Sequence, residues 1–139
     1  MNKKGFTLVE LLAVIAILGF LVLVIVPNVI DVFKGSKKNN FLSEAQAVYK
    51  SANNTYVLDR ARGTLEITYQ NGMETTPSGV VKKLDLSNRD GFAYQVKINS
   101  SGEIVLFIAK DLDFKIELDG SENPILLKDI NTDKIEENN

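Results

Sequence analysis

Leu11 to Val26 is an unbroken run of 16 apolar residues near the start of a 139-residue chain, and the rest reads as ordinary soluble protein. Extended back to Phe6 the segment has 21 residues. At about 1.5 Å per residue it makes a helix of roughly 31 Å, close to the ~30 Å hydrocarbon thickness of a bilayer. This end of the chain belongs in lipid and the other in water. Charge divides with hydropathy. Through Asn40 five lysines (Lys3, Lys4, Lys34, Lys37, Lys38) stand against Glu10 and Asp31, whereas the remainder carries 11 basic and 16 acidic residues. Lys3 and Lys4 orient the span with its N-terminus in the cytoplasm. A secretory signal peptide would end in a small-x-small cleavage pattern. Ile25-Val26-Pro27-Asn28-Val29 has none.

Composition narrows the chemistry. The chain has no histidine, cysteine or tryptophan. Disulfides, thiolate metal sites and cysteine nucleophiles are excluded, and so are imidazole-dependent triads and histidine-ligated zinc. A formal charge of -2 and a pI near 5.2 do not suggest a nucleic-acid binder.

Glu10 is the misfit in the span. A carboxylate in a membrane segment costs roughly 2.5 to 3.5 kcal/mol near the helix centre and less toward the ends, so it needs the interface or a cationic partner. The stretch Lys3-Lys4-Gly5-Phe6-Thr7-Leu8-Val9-Glu10-Leu11-Leu12, followed by the apolar run, resembles the class III signal of type IV prepilins and of secretion and competence pseudopilins. The resemblance covers roughly Met1 to Asn40. It implies that a prepilin peptidase cuts between Gly5 and Phe6 on the cytoplasmic side and that Phe6 is N-methylated. Gly5 suits the cut because its backbone can lie extended in a protease cleft. Cutting there exposes an α-amine, largely cationic at neutral pH. The resemblance further implies that Glu10 meets this amine on a neighbouring subunit, neutralising two charges in an apolar setting. Glu10 also lies at the positive end of its own helix dipole. Gly19 and Pro27, both helix-weakening residues, match the stretch that loses helicity in pili and so mark a flexible segment.

Beyond Pro27, Phe41, Leu42, Ala45, Val48, Tyr49, Ala52 and Tyr56 recur at steps of three and four, the pattern of an amphipathic helix. Gly35 and Ser36 are candidates to bend it and Gly63 to end it, giving helix from Phe6 to Arg62. The period then becomes two. Leu65, Ile67 and Tyr69 alternate up to Asn71-Gly72, Tyr94, Val96 and Ile98 up to Ser100-Ser101-Gly102, Ile104 to Ala109 is a continuous apolar strand, and Leu112, Phe114, Ile116 and Leu118 alternate to Asp119-Gly120. The expected fold class is α+β: a long N-terminal helix on a small antiparallel sheet, pilin-like. Its parts are a leader (1–5), an assembly helix (6–27), an amphipathic helix (28–62), a sheet domain (63–130) and a frayed polar tail (131–139). Val80 to Leu86 reads equally as a strand or a helical turn, between loops at 75–79 and 87–91.

Asp111, Asp113, Glu117 and Asp119 form an acidic row that reads as a solvated strand face, with calcium ligation the less favoured reading. No catalytic constellation or nucleotide loop is present, and no enzyme activity, cofactor or nucleic-acid partner is expected. The reading is a pilin, held as a single-pass membrane protein and then assembled into a surface fibre with identical and related subunits, the ATPase and platform machinery acting indirectly. A pseudopilin and a plain signal-anchored surface binding protein are the alternatives.

Overall fold

A computed structural model describes residues 5–86 and 90–138. The loop expected at 87–91 and the basic leader at Lys3 and Lys4 therefore fall largely outside the described residues. The chain divides into two compact units, Met1–Lys37 and Lys38–Asn139, and helix α1 (Leu8–Ala61, 54 residues) contributes to both. Helix assignment continues unbroken through Pro27 and through Gly35-Ser36.

In the first unit no described residue covers the apolar side chains of α1. Every large hydrophobic residue from Leu8 to Phe33 is exposed. Among the described residues α1 is the one helix long and apolar enough to cross a membrane.

In the second unit α1 behaves oppositely. Its buried residues are Phe41, Ala45, Val48, Ala52, Tyr56 and Asp59, one stripe at steps of three and four. The stripe covers a six-stranded sheet built from β1 (Ile67–Asn71), β2 (Val81–Lys82), β3 (Ala93–Ile98), β4 (Ile104–Lys110), β5 (Phe114–Asp119) and β6 (Glu136–Glu137). The order is β2-β1-β3-β4-β5-β6, antiparallel throughout except for the β1/β2 pair. This is the α+β, pilin-like architecture that the periodicity and the resemblance predict.

Cross-strand rows follow from register. Tyr69 faces Val96, which faces Phe107, which faces Leu118; Tyr94, Ala109 and Ile116 form the next row on the same face. The helix meets these rows with aromatic rings: Tyr49 lies 6.3 Å from Phe107, and Phe41 lies 5.8 Å from Phe92 and 6.0 Å from Phe114. Full burial of such a side chain stabilises by about 1.5 to 3 kcal/mol. The helix ends where Gly63 turns left-handed (φ 96°) and its N–H donates to the Arg60 carbonyl at 3.0 Å.

Three expectations need correction, and one open reading is resolved. Leu65 and Leu112 lie outside the strands and are exposed. The Val80–Leu86 stretch contributes the short strand β2, whose ladder is extended by Thr68 N–H donating to the Val80 carbonyl at 2.9 Å. Residues 131–138 are pinned, not frayed. Ile130 and Ile135 are core, β6 pairs with β5, and Asn138 N–H donates to the Asp113 carbonyl at 2.9 Å. Isoleucines spaced along a polar tail lack a strand or helix period, so their burial is invisible to periodicity. Finally, Asp111 and Asp113 do not extend a strand row. The Asp111 carboxylate accepts the N–H groups of Asp113 (2.8 Å) and Phe114 (2.7 Å), bracing the turn before β5.

Gly120 has a steric role. A Cβ there would lie 2.9 Å from the Ile104 carbonyl oxygen and 3.0 Å from the Val105 Cα, so the chain can cross β4 only without a side chain.

Because the second unit owns a closed core, a truncated chain starting at Lys34 is expected to be a soluble, folded monomer. Circular dichroism should show both helix and strand. Aggregation, or a random-coil spectrum, would overturn the division between anchor and domain.

Candidate functional site

The N-terminal signal has a local geometry. Thr7 N–H donates to Glu10 Oε2 at 2.8 Å, the Thr7 hydroxyl donates to the same oxygen at 3.0 Å, and Glu10 N–H donates to Thr7 Oγ1 at 3.2 Å. This is a reciprocal capping box that satisfies orphan donors of the first turn of α1. Its Thr-x-x-Glu signature is present in the sequence, where it reads as part of the prepilin pattern and not as a cap. Among the described residues the bonds to Glu10 fall on Oε2, the oxygen that holds the helix start.

Phe6 stands 91% exposed just before the cap, and a Cβ built on Gly5 would meet nothing within 4 Å. The Gly5-Phe6 peptide is thus unobstructed by the described residues. Gly19 is equally open on its side of α1. Pro27 lies inside the helix and cannot donate to the carbonyl four residues back. The next residue, Asn28, adds a side-chain donor one turn back, Nδ2 to the Val24 carbonyl at 3.2 Å. That contact was not anticipated by the sequence reading. Glu10 and Pro27 share the helix but not a contact.

A second polar cluster lies in the sheet unit. Asp59, 2% exposed, accepts from the Tyr69 hydroxyl at 2.8 Å through Oδ2 and from the Lys82 ammonium at 2.5 Å through Oδ1. Lys82 beside it holds the Asp59 carboxyl below its usual range; burial opposes this, and the Tyr69 hydroxyl reinforces it. Burial, then the hydrogen bond to Asp59, pushes the Tyr69 phenol well up. The carboxylate, held on one oxygen by Tyr69 and on the other by Lys82, ties β1 and β2 to the last turn of α1. Sequence analysis missed Asp59. The signal was available, because 59 continues the 41-45-48-52-56 stripe by a step of three.

The acidic row offers no metal centre among the described residues. Asp111 is occupied in its turn, and Asp119 accepts Ser121 N–H at 2.9 Å.

The comparisons agree with this anatomy. Residues 1–26 match the model of the prokaryotic N-terminal methylation motif. Over 114 residues the chain is 32% identical to the "Type IV wide pilus major component PilA4" of Thermus thermophilus, covering 78% of this chain and 82% of the relative. No solved structure matches. The chain belongs to the type IV pilin-like family. It is a structural, pilin-like subunit with an N-terminal membrane-type helix.

Proposed function

We propose that this chain is a subunit of a type IV pilus-like surface fibre, released from its leader by cleavage between Gly5 and Phe6 and N-methylated at Phe6. The observation that carries the proposal is a helix that exposes apolar residues from Leu8 to Phe33 and begins in a Thr7–Glu10 cap. In the membrane those side chains face lipid. In a fibre they face the helices of other subunits, so the apolar area stays out of water in both states. Lys3 and Lys4 hold the leader on the cytoplasmic side, where the peptidase acts. The new Phe6 amine of one subunit pairs with Glu10 of the next and sets their axial register. Gly19 and Pro27 weaken the helix between them and let the fibre extend. Extraction from the bilayer is driven by a separate ATPase. The similarity to a major component of a wide pilus favours the fibre over a short secretion or competence pseudopilus.

Mass spectrometry of the mature protein tests this. The expected N-terminus is N-methyl-Phe6. An intact Met1 leader, or a cut after Val26, would overturn the reading.

A further inference from the structure

The chain after Gly120 contains a short repeat. Ile125, Ile130 and Ile135 recur at steps of five, a spacing that neither a strand nor an α-helix produces. The backbone shows where the step comes from. Each of the first two isoleucines is followed by one extended residue, Leu126 or Asn131, and then by a three-residue 3-10 turn, Leu127–Asp129 or Thr132–Lys134, that delivers the next isoleucine. The N–H of Ile130 closes the first turn on the Leu127 carbonyl at 3.2 Å, and that of Ile135 closes the second on the Thr132 carbonyl at 3.3 Å. Side chains brace both turns. Leu126 N–H donates to Asp129 Oδ2 at 2.8 Å, and Asp133 N–H donates to Asn131 Oδ1 at 3.1 Å. These bonds are local, so the segment carries its own conformation.

What it takes from the rest of the unit is a row of three apolar sites. Ile125, Ile130 and Ile135 are 5%, 0% and 7% exposed, whereas the residues between them are exposed or half-buried. Helix α1 reaches the segment through two donors: the Tyr49 hydroxyl bonds the Ile125 carbonyl at 3.0 Å, and Gln46 Nε2 bonds the Ile130 carbonyl at 3.0 Å. The sheet holds its two ends. Ile125 N–H donates to the Ile104 carbonyl of β4 at 2.9 Å, Glu136-Glu137 pair with β5, and Asn138 N–H donates to the Asp113 carbonyl at 2.9 Å. Ser121 to Pro124, the loop that leads in, is exposed throughout. A segment that shapes itself, buries one residue in five and enters through one exposed loop has the anatomy of a bound peptide, and little burial per residue favours its opening ahead of the sheet.

We propose that α1 and the β4–β5 side of the sheet form a peptide-binding face, and that residues 125–138 are its built-in ligand, docked in cis and detachable while the other strands stay paired. The pattern recognised is an isoleucine at every fifth position with 3-10 turns between. The isoleucines carry the affinity, and Tyr49 and Gln46 hold the backbone carbonyls. The proposal concerns the globular unit and is independent of the fibre reading.

Hydrogen exchange on the unmodified full-length chain in detergent is the first test. The N–H groups of Ile125 and Asn138, at the two ends of the segment, should exchange together and about tenfold or more faster than the ladder N–H groups of β3 and β4. One rate common to segment and sheet, or unrelated rates for Ile125 and Asn138, would overturn the proposal. For the second test a protease site is placed between Glu122 and Asn123 of the full-length chain and cut. A fluorescent synthetic peptide of residues 123–139 should then replace the severed segment. Ile125→Ser, Ile130→Ser and Ile135→Ser together in the peptide should weaken binding by about thirtyfold or more. Lys128→Ala and Lys134→Ala, at exposed positions, should change it by less than about threefold. Tyr49→Phe in the protein removes one hydrogen bond but keeps the ring beside Phe107, and should weaken the peptide about fivefold. Loss of the strand signal on cutting, no uptake of the peptide, or equal binding of the serine peptide would overturn the proposal. The exchange measurement needs no variant and decides the matter if the inserted site prevents folding.

Discussion

Glu10→Ala is expected to abolish surface fibres while leaving membrane insertion and cleavage at Gly5 largely intact. The effect has two parts. Glu10 Oε2 caps the first turn through Thr7, and loss of the cap loosens the helix start. On the proposed function the same carboxylate neutralises the Phe6 amine of a neighbour, and deleting one partner of a buried ion pair typically costs about 3 to 5 kcal/mol. Glutamine separates them, because it can accept the capping hydrogen bonds but carries no charge. Thr7→Ala does the converse. The expected order of sheared-fibre yield is wild type, then Thr7→Ala at a modest reduction, then Glu10→Gln and Glu10→Ala near zero, with the membrane pool rising as fibres fall. Undiminished fibres from Glu10→Gln would reject charge pairing and leave Glu10 a helix cap. A simple anchor predicts the opposite sign, since removing an intramembrane carboxylate should ease insertion.

The parts of this fold that sequence reasoning reaches are those with a period. The α1 stripe repeats through five helical steps and its aromatic members predict the face that meets the sheet. β1, β3, β4 and β5 alternate or run apolar between turn residues, and the antiparallel order of β3, β4 and β5 follows from short connections. β2 and β6 are two residues each, too short to display any period. β2 is placed by the pairing of Thr68 with Val81 and by Lys82 reaching Asp59, both long-range facts. Leu112 misleads because it continues the apolar alternation of β5, yet the Asp111 side chain captures the two N–H groups that a strand there would need. The capping role of Glu10 is legible in Thr7-x-x-Glu10, but one residue that serves two functions shows only its more specific pattern. Asp59 is hidden by its charge: a helical stripe invites an apolar residue at that step, and burial of an acid depends on Tyr69 and Lys82 arriving from distant strands.

Asp59→Ala is expected to destabilise the sheet unit by about 2 to 4 kcal/mol, or ~10 to 20 °C in Tm for a domain of this size. Lys82 is not the main source of the loss, because its side chain is 42% exposed and regains water when released. Tyr69 is. Its hydroxyl is buried and donates to Asp59 at 2.8 Å, and a buried donor left without an acceptor costs about 1 to 3 kcal/mol. The remainder comes from β2, which loses its tie to α1. Adding Tyr69→Phe to Asp59→Ala removes the orphaned donor and should recover about 1 kcal/mol, an interaction between neighbours that independent sites would not show. The pH dependence has a defined sign. The folded carboxyl titrates below its unfolded value of about 3.9, so the unfolded chain binds the proton first and stability falls with pH. The contribution of Asp59 is complete above about pH 5 and is lost progressively below the unfolded value, down through the folded one. Urea melts of the chain starting at Lys34 should therefore show a gap between wild type and Asp59→Asn that is widest near neutrality and narrows as pH drops below 4. A gap that is constant across that range would mean that Asp59 acts through packing alone.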